Sequence, residues 1–232
     1  LNSFEGIKQE LPSVFLNIKP FNLGNIGIVS HHYFKAGYLD YVTAEDLNSS
    51  HLDFSSARVG IYNEFYRPFK LKGLSLTPLI GMTGIFYSNS PRHVHATQAL
   101  VNYDLFLNSS FARSYSRFRH IIKPYLHYKG LSKPKLTPDT PFIFDIEDGY
   151  SHTNLLKGGI SNLFYLKKLP LFDPNFIIDL SAYSFLDTKT FKKPIPKIQG
   201  SLTWNFPSFT LGTKCAWNVE NQFIDYANVG VG

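Results

Sequence analysis

Eight histidines are the side chains best suited to proton transfer or metal binding near neutral pH, and their spacing limits what they can do. His31 and His32 are adjacent. On a strand such neighbours point to opposite faces, so the two cannot chelate one ion together without a bulge. His93 and His95 could share a face, but they fall in a basic, proline-containing loop over 89–95 with no acidic or cysteine partner nearby. Ordinary surface histidines are the competing reading. An acyl hydrolase would need a serine nucleophile and a histidine base meeting across neighbouring strands. Ser181, Ser201 and His127 supply the types, and no local motif singles out a pair. Asp145, Glu147 and Asp148 offer carboxylate oxygens to a divalent ion, or else form a solvated loop held by turns. The single Cys215 excludes a disulfide within the segment and a zinc site built from several cysteines. No phosphate-cradling glycine loop and no nucleic-acid signature is present. The expectation is a chain that is not an enzyme and carries neither metal nor cofactor.

These groups must be positioned by strands. Over 198–220, Ile198, Leu202, Trp204 and Phe206 share one face, and Gln199, Ser201, Thr203 and Asn205 share the other. After Pro207 and Ser208 the alternation resumes, with Phe209, Leu211, Cys215, Trp217 and Val219 opposing Thr210, Lys214, Asn218 and Glu220. A period of two marks a strand with one apolar and one polar face, so this stretch predicts an antiparallel hairpin. The same reasoning predicts strands at 13–23, 26–42, 52–69, 74–87, 101–108, 119–129, 155–167, 176–187 and 223–231. Turns are expected at 22–25 and 70–73, and 130–152 reads as a long loop. Prolines inside the runs, at Pro20, Pro68, Pro78, Pro124 and Pro207, are expected at strand ends or bulges because each lacks a ladder donor.

The expected fold class is all-β. About eleven strands of roughly 9 to 17 residues exceed the ~5–6 residues usual in soluble sheets. Charged residues make up 17% of the 232, below the ~25% typical of soluble domains, while aromatics reach 16%. Many aromatics fall near predicted strand ends, among them Phe21, Tyr38, Phe65, Phe86, Tyr87 and Phe164, as in the girdles of membrane barrels or in a large soluble core. No apolar run of ~18 residues occurs, which excludes a transmembrane helix but not a barrel, whose strands need only ~9–11 residues. The net charge of +6 suggests anionic company or a bland solvated surface. Long alternating strands joined by short turns and longer polar loops predict an antiparallel transmembrane β-barrel. With no initiator Met and no signal peptide, 1–232 reads as an excised segment or a mature fragment, and the expectation is one partial outer-membrane barrel domain, an incomplete barrel that does not close by itself.

Three segments carry a family likeness. Ala57-Arg58 is followed by Glu64-Phe65-Tyr66-Arg67-Pro68-Phe69, and Arg117-Phe118-Arg119-His120 leads into Lys123-Pro124-Tyr125-Leu126-His127-Tyr128. Pro141-Phe142-Ile143-Phe144-Asp145-Ile146-Glu147-Asp148 comes next, with Asn154 after it. In order and spacing these segments resemble the barrel domain of the LPS-assembly outer-membrane protein family (LptD, the organic solvent tolerance proteins). The matching positions are Arg58, Pro68, Arg119, His120, Pro124, Tyr128, Asp145, Asp148 and Asn154, and the likeness spans roughly 9–188.

The resemblance implies the central part of a multi-pass barrel of the Gram-negative cell outer membrane. It would belong to the translocon that inserts lipopolysaccharide into the outer leaflet during cell-envelope biogenesis. The implied partners are lipopolysaccharide, a plug lipoprotein inside the barrel, a periplasmic LPS-transport bridge and outer-membrane lipid. The periplasmic jellyroll, the gate strands and the family's paired cysteines are expected outside this segment. This part would be non-enzymatic conduit wall. Arg58, Lys123 and Lys214, on polar faces, are expected as lumen-facing contacts for lipopolysaccharide phosphates, or else as lumen residues paired with neighbouring carboxylates. Leu202, Trp204, Leu211 and Trp217 are expected to face lipid. The alternatives are another outer-membrane transport barrel (porin or translocator), an outer-membrane lipid-modifying enzyme, and a soluble β-sandwich binding module.

Overall fold

A computed structural model describes residues 7–42, 54–90, 93–137, 148–167, 174–187 and 191–232. Fourteen antiparallel strands form one sheet, with no α-helix among the described residues. Eleven of them follow one hydrogen-bonded order in strict chain succession. These are β1 (Ile7–Asn22), β2 (Val29–Val42), β3 (Phe54–Tyr66), β5 (Leu74–Tyr87), β6 (Ala96–Ser109), β8 (Phe118–Leu131), β10 (Thr153–Leu166), β11 (Phe176–Phe185), β12 (Lys197–Asn205), β13 (Thr210–Asn218) and β14 (Phe223–Val231). Three short strands pair off this path: β4 (Phe69–Leu71) with β5, β7 (Phe111–Ser114) with β8, and β9 (Lys135–Thr137) with β6.

The predicted strands therefore recur, two of them with the same limits: 74–87 and 223–231. The differences have local causes. The expected strand at 52–69 stops at Tyr66, because Arg67 and Pro68 interrupt it before β4 begins, and 52–53 lie outside the described residues. The loop expected over 130–152 contains β9, and its 138–147 stretch lies outside the described residues. Pro20 sits in a register shift of β1 between Ile18 and Phe21, and Pro207 in the β12–β13 turn, as a residue without a ladder donor requires. Pro78 falls where β5 changes partner, after Leu76 has paired with Phe69 of β4 and before Leu79 pairs with Tyr66 of β3. Lys72 and Gly73 both have positive φ, 29° and 90°, as a two-residue type I′ turn between β4 and β5 requires.

The chain divides into two compact units, Leu1–Arg67 with Leu79–Tyr103 and Leu131–His152, and Pro68–Pro78 with Asp104–Gly130 and Thr153–Gly232. In the first unit the register aligns Leu16, Phe34 and Ile61 in one row, and Val14, Ala36, Val59 and Phe86 in another, all on one face. The opposite face carries Asn17, Tyr33, Tyr62 and Thr83 in one row and Ser13, Gly37, Arg58 and Tyr87 in the next. A small core of Leu39, Ile85, Tyr87 and Ala96, with Tyr150 packed on it, lies on this second face.

In the second unit, one face carries the rows Phe164, Phe176, Trp204, Leu211, Val231 and Asn162, Ile178, Leu202, Thr213, Val229. The other carries Ser161, Asp179, Ser201, Lys214, Asn228 and Gly159, Ser181, Gln199, Ala216, Tyr226. Leu202, Trp204, Leu211 and Trp217 thus share a face, and Thr203, Asn205 and Lys214 share the opposite one.

Candidate functional site

Polarity is inverted relative to a water-soluble sheet. Side chains such as Val14, Leu16, Ile61, Met82, Leu180 and Trp204 are exposed, with Val229 at 75% and Val231 at 72%, whereas Ser56, Arg58, Thr83, Gln98, Asp148 and Ser181 are buried. Single exposed apolar residues mean little. Rows of exposed and half-buried apolar residues, opposite buried polar groups, form an apolar patch of the kind found at interaction surfaces.

On the apolar face of the second unit, aromatic rings follow one another from strand to strand. Phe164 stands 5.9 Å from Phe176, Phe176 5.8 Å from Trp204, Trp204 4.6 Å from Phe206, and Phe206 4.3 Å from Phe209. His120 extends the row, stacking on Phe164 at 4.3 Å with Nε2 3.1 Å from Asn162 Oδ1. In the first unit, His32 lies between Phe21 and Phe65 with Nδ1 2.6 Å from Asn63 Oδ1. Amphipathic rings in such rows suit a boundary between apolar and aqueous phases.

The polar face of the first unit centres on Arg58 and Asp148. Asp148 is 0% exposed and Arg58 3%. Nη2 of Arg58 donates to Asp148 Oδ1 and, at 3.0 Å, to the Tyr62 hydroxyl, while Nε donates to Asp148 Oδ2 at 3.3 Å. The Tyr87 hydroxyl donates to Asp148 Oδ2, and the guanidinium lies 6.0 Å from the Tyr87 ring centroid. Gly60 makes room, since a Cβ there would come within 3.2 Å of Arg58 Nη1. Burial, with the Tyr62 hydroxyl and the Asp148 carboxylate nearby, pushes the Tyr150 phenol up to about 12, so it remains a neutral donor. A buried carboxylate held by a fork of donors is worth keeping only if all partners stay in place. The cluster fixes the chain just before β10 onto the strand wall.

This geometry overturns one expectation and decides between alternatives for two other residues. Asp148 belongs neither to a solvated acidic loop nor to an open cation site, because the Arg58 guanidinium neutralises it in a buried setting. Arg58 takes the second role expected of it, paired with a neighbouring carboxylate, and has almost no exposed surface to offer a phosphate. Tyr87, read as a girdle or a core aromatic, is buried in the small core on the polar face. Asp145 and Glu147 lie outside the described residues.

On the polar face of the second unit the groups form a hydrogen-bonded run. Tyr125 donates to Asp179 Oδ1 at 3.0 Å and Ser161 donates to Asp179 Oδ2. Tyr183 donates to Gln199 at 2.7 Å, Gln199 to Tyr226 at 3.0 Å, and Lys197 pairs with Asp225 at 2.6 Å. His127 Nε2 lies 2.7 Å from both oxygens of Asp104, so its nitrogen is engaged by a carboxylate rather than by Ser181 or Ser201. Phe106, Lys123, Tyr125, Lys157 and Asp179 are among the residues that line an open cavity of about 590 Å³.

Four family-like positions meet as two pairs, Arg58 with Asp148 and Tyr128 with Asn154, whose side chains are joined by a 2.9 Å hydrogen bond. Arg119 pairs in register with Ser114 of β7, His120 joins the aromatic row, Pro124 lies within β8, and Pro68 separates β3 from β4. Lys123 and Lys214 are exposed on polar faces. Tyr62, Tyr150, Lys157 and Asp179 join these clusters without having been singled out from sequence. For Tyr62, Lys157 and Asp179, polar-face parity within the strand was the available signal, whereas Tyr150 precedes β10 and had none. His31 and His32 do face opposite ways, His31 reaching Asn17 at 2.8 Å and His32 reaching Asn63. The chain matches no protein-family model and no curated protein.

Proposed function

We propose that this chain is part of the wall of an outer-membrane conduit of the LPS-assembly type. Its apolar face would meet acyl chains and its polar face a hydrated path for lipopolysaccharide. The inverted polarity of the sheet carries this reading. Strands of 9 to 16 residues along the main order are long enough to cross a hydrocarbon layer, and neighbouring strands are joined by antiparallel ladders with a few register shifts, the kind of pairing a bilayer demands. Within each unit the aromatic row supports an interfacial level at one end of the strands, on the apolar side.

On the family likeness, the cargo and partners in this reading would be lipopolysaccharide, a plug lipoprotein and a periplasmic bridge. In this reading the wall performs no bond chemistry. Arg58 and Asp148 fasten a loop onto the polar face, while Lys123 and Lys214 remain as exposed cations toward an anionic cargo.

Photocrosslinkers placed alternately at Leu202 and Ser201 of the full protein in native outer membrane test the proposal. Crosslinks to phospholipid or acyl chains at 202 and to lipopolysaccharide at 201 are expected. Equal labelling of both positions by a water-soluble reagent, with no lipid adduct at either, would defeat it.

A further inference from the structure

The cavity on the polar face of the second unit is more than wet wall. We propose that it is a saturable subsite for an anionic sugar, a saccharide ring bearing a phosphate or a carboxylate. The proposal deepens the conduit reading and rests on it only for the source of the sugar.

Charge comes first. Lys123 and Lys157 both line the cavity, and the carboxylate lining it, Asp179, already accepts from Tyr125 and Ser161. Neighbouring Asp104 is engaged by His127, with Lys129 at 4.0 Å. Among the described residues Lys123 has no ion-pair partner. An ammonium group is a compact point charge with three donors, which suits phosphate or carboxylate oxygens. Two of them in one cavity repel a metal ion.

Shape comes second. Tyr125 lies across Gly159, where a Cβ would come within 2.5 Å of the phenol ring and 2.8 Å of the Leu180 carbonyl oxygen. Glycine at that position lets the phenol end of Tyr125 approach β10 closely. Lys157 Nζ is 5.6 Å from the Tyr125 centroid and 5.2 Å from that of Tyr183, which orients the ammonium between two rings. Phe106 stands 6.3 Å from Tyr125 and adds a second apolar plane. Ring faces take the C–H face of a sugar, and Asn108 supplies an amide to its hydroxyls. The volume of about 590 Å³ far exceeds a bare phosphate and falls within the ~300–1,000 Å³ of small-molecule pockets. An acyl chain in the same place would leave Lys123 facing hydrocarbon unpaired.

The test uses the full chain in detergent micelles, with heat-modifiable gel mobility as the folding control. Saturation-transfer NMR is read with glucose 6-phosphate, glucuronate, glucose and inorganic phosphate. Saturable binding of the two anionic sugars is expected, with glucose and phosphate each weaker by about tenfold or more. Lys123→Gln and Lys157→Gln should each weaken glucose 6-phosphate by about tenfold, and Lys123→Arg should retain it within about threefold. Binding of glucose or phosphate as tight as glucose 6-phosphate, or unchanged affinity in both Gln variants, would overturn the site. Should the variants misfold, a benzophenone side chain at Asn108 decides, since absence of an adduct protected by glucose 6-phosphate overturns it equally. Phosphorylated lipid A crosslinking at Asn108, competed by glucose 6-phosphate, identifies the glycolipid as the source. Binding of free sugar without any lipid A adduct keeps the site and removes the conduit reading. Lipid A adducts at Lys214 with no sugar binding in the cavity do the reverse.

Discussion

Removing the Arg58 guanidinium would leave the Asp148 carboxylate buried among Tyr62, Tyr87 and Tyr150 with no cation. Breaking such a pair from one side costs ~3–5 kcal/mol, whereas an apolar replacement of both partners is often neutral or better. Arg58→Ala is therefore expected to lower the temperature at which heat-modifiable mobility is lost, and the Arg58→Met, Asp148→Leu double variant to recover most of the loss. A single variant no less stable than the exposed-site control Lys135→Ala would show that the pair does not anchor this part of the chain. The pairing was hard to read from sequence. Arg58 and Asp148 are 90 positions apart, and Asp148 follows a proline-containing acidic stretch with no periodicity to aim it.

At the level of a strand, adjacent residues have opposite fates. Leu202 lies on the apolar face and Ser201 on the polar one. Leu202→Lys is expected to cost ~2–4 kcal/mol if its face meets the hydrocarbon midplane, and Ser201→Lys to be close to neutral. Urea titration of folded protein in lipid vesicles separates the two, and equal costs would remove the lipid assignment. Gly159→Ala should cost ~1–3 kcal/mol in the same assay, because the added methyl meets the Tyr125 ring and a backbone carbonyl that cannot both retreat. Parity within a strand was legible beforehand. Ile122, Leu126 and Tyr128 do oppose Lys123, Tyr125 and His127, since a period of two needs only one strand to express itself. Register between strands was not legible. That Lys157 faces Tyr183, and Tyr183 faces Lys197, depends on turn lengths and on irregularities such as the shift at Ala216 and Trp217. The three- and four-residue strands β4, β7 and β9 escaped for a simpler reason, being too short to show an alternation.

For the molecule as a whole, the polarity of the sheet predicts dependence on an amphiphile. Diluted out of detergent, the protein is expected to aggregate with its apolar rows together. A monodisperse monomer in plain buffer by light scattering would speak for a water-soluble sheet instead. The order of the strands has another consequence, this one in time. Along the main path each strand pairs with the one before it and the one after it in sequence, so no partner has to be awaited from far along the chain. Pairing with sequence neighbours keeps each loop shorter than a distant pairing would require, and a longer loop costs only ~0.6 kcal/mol per doubling of its length. The wall can accordingly be laid down strand by strand, each finished edge serving as the template for the next. Pulse-labelled hydrogen exchange during insertion should find protection spreading as a front through neighbouring strands rather than arriving everywhere together.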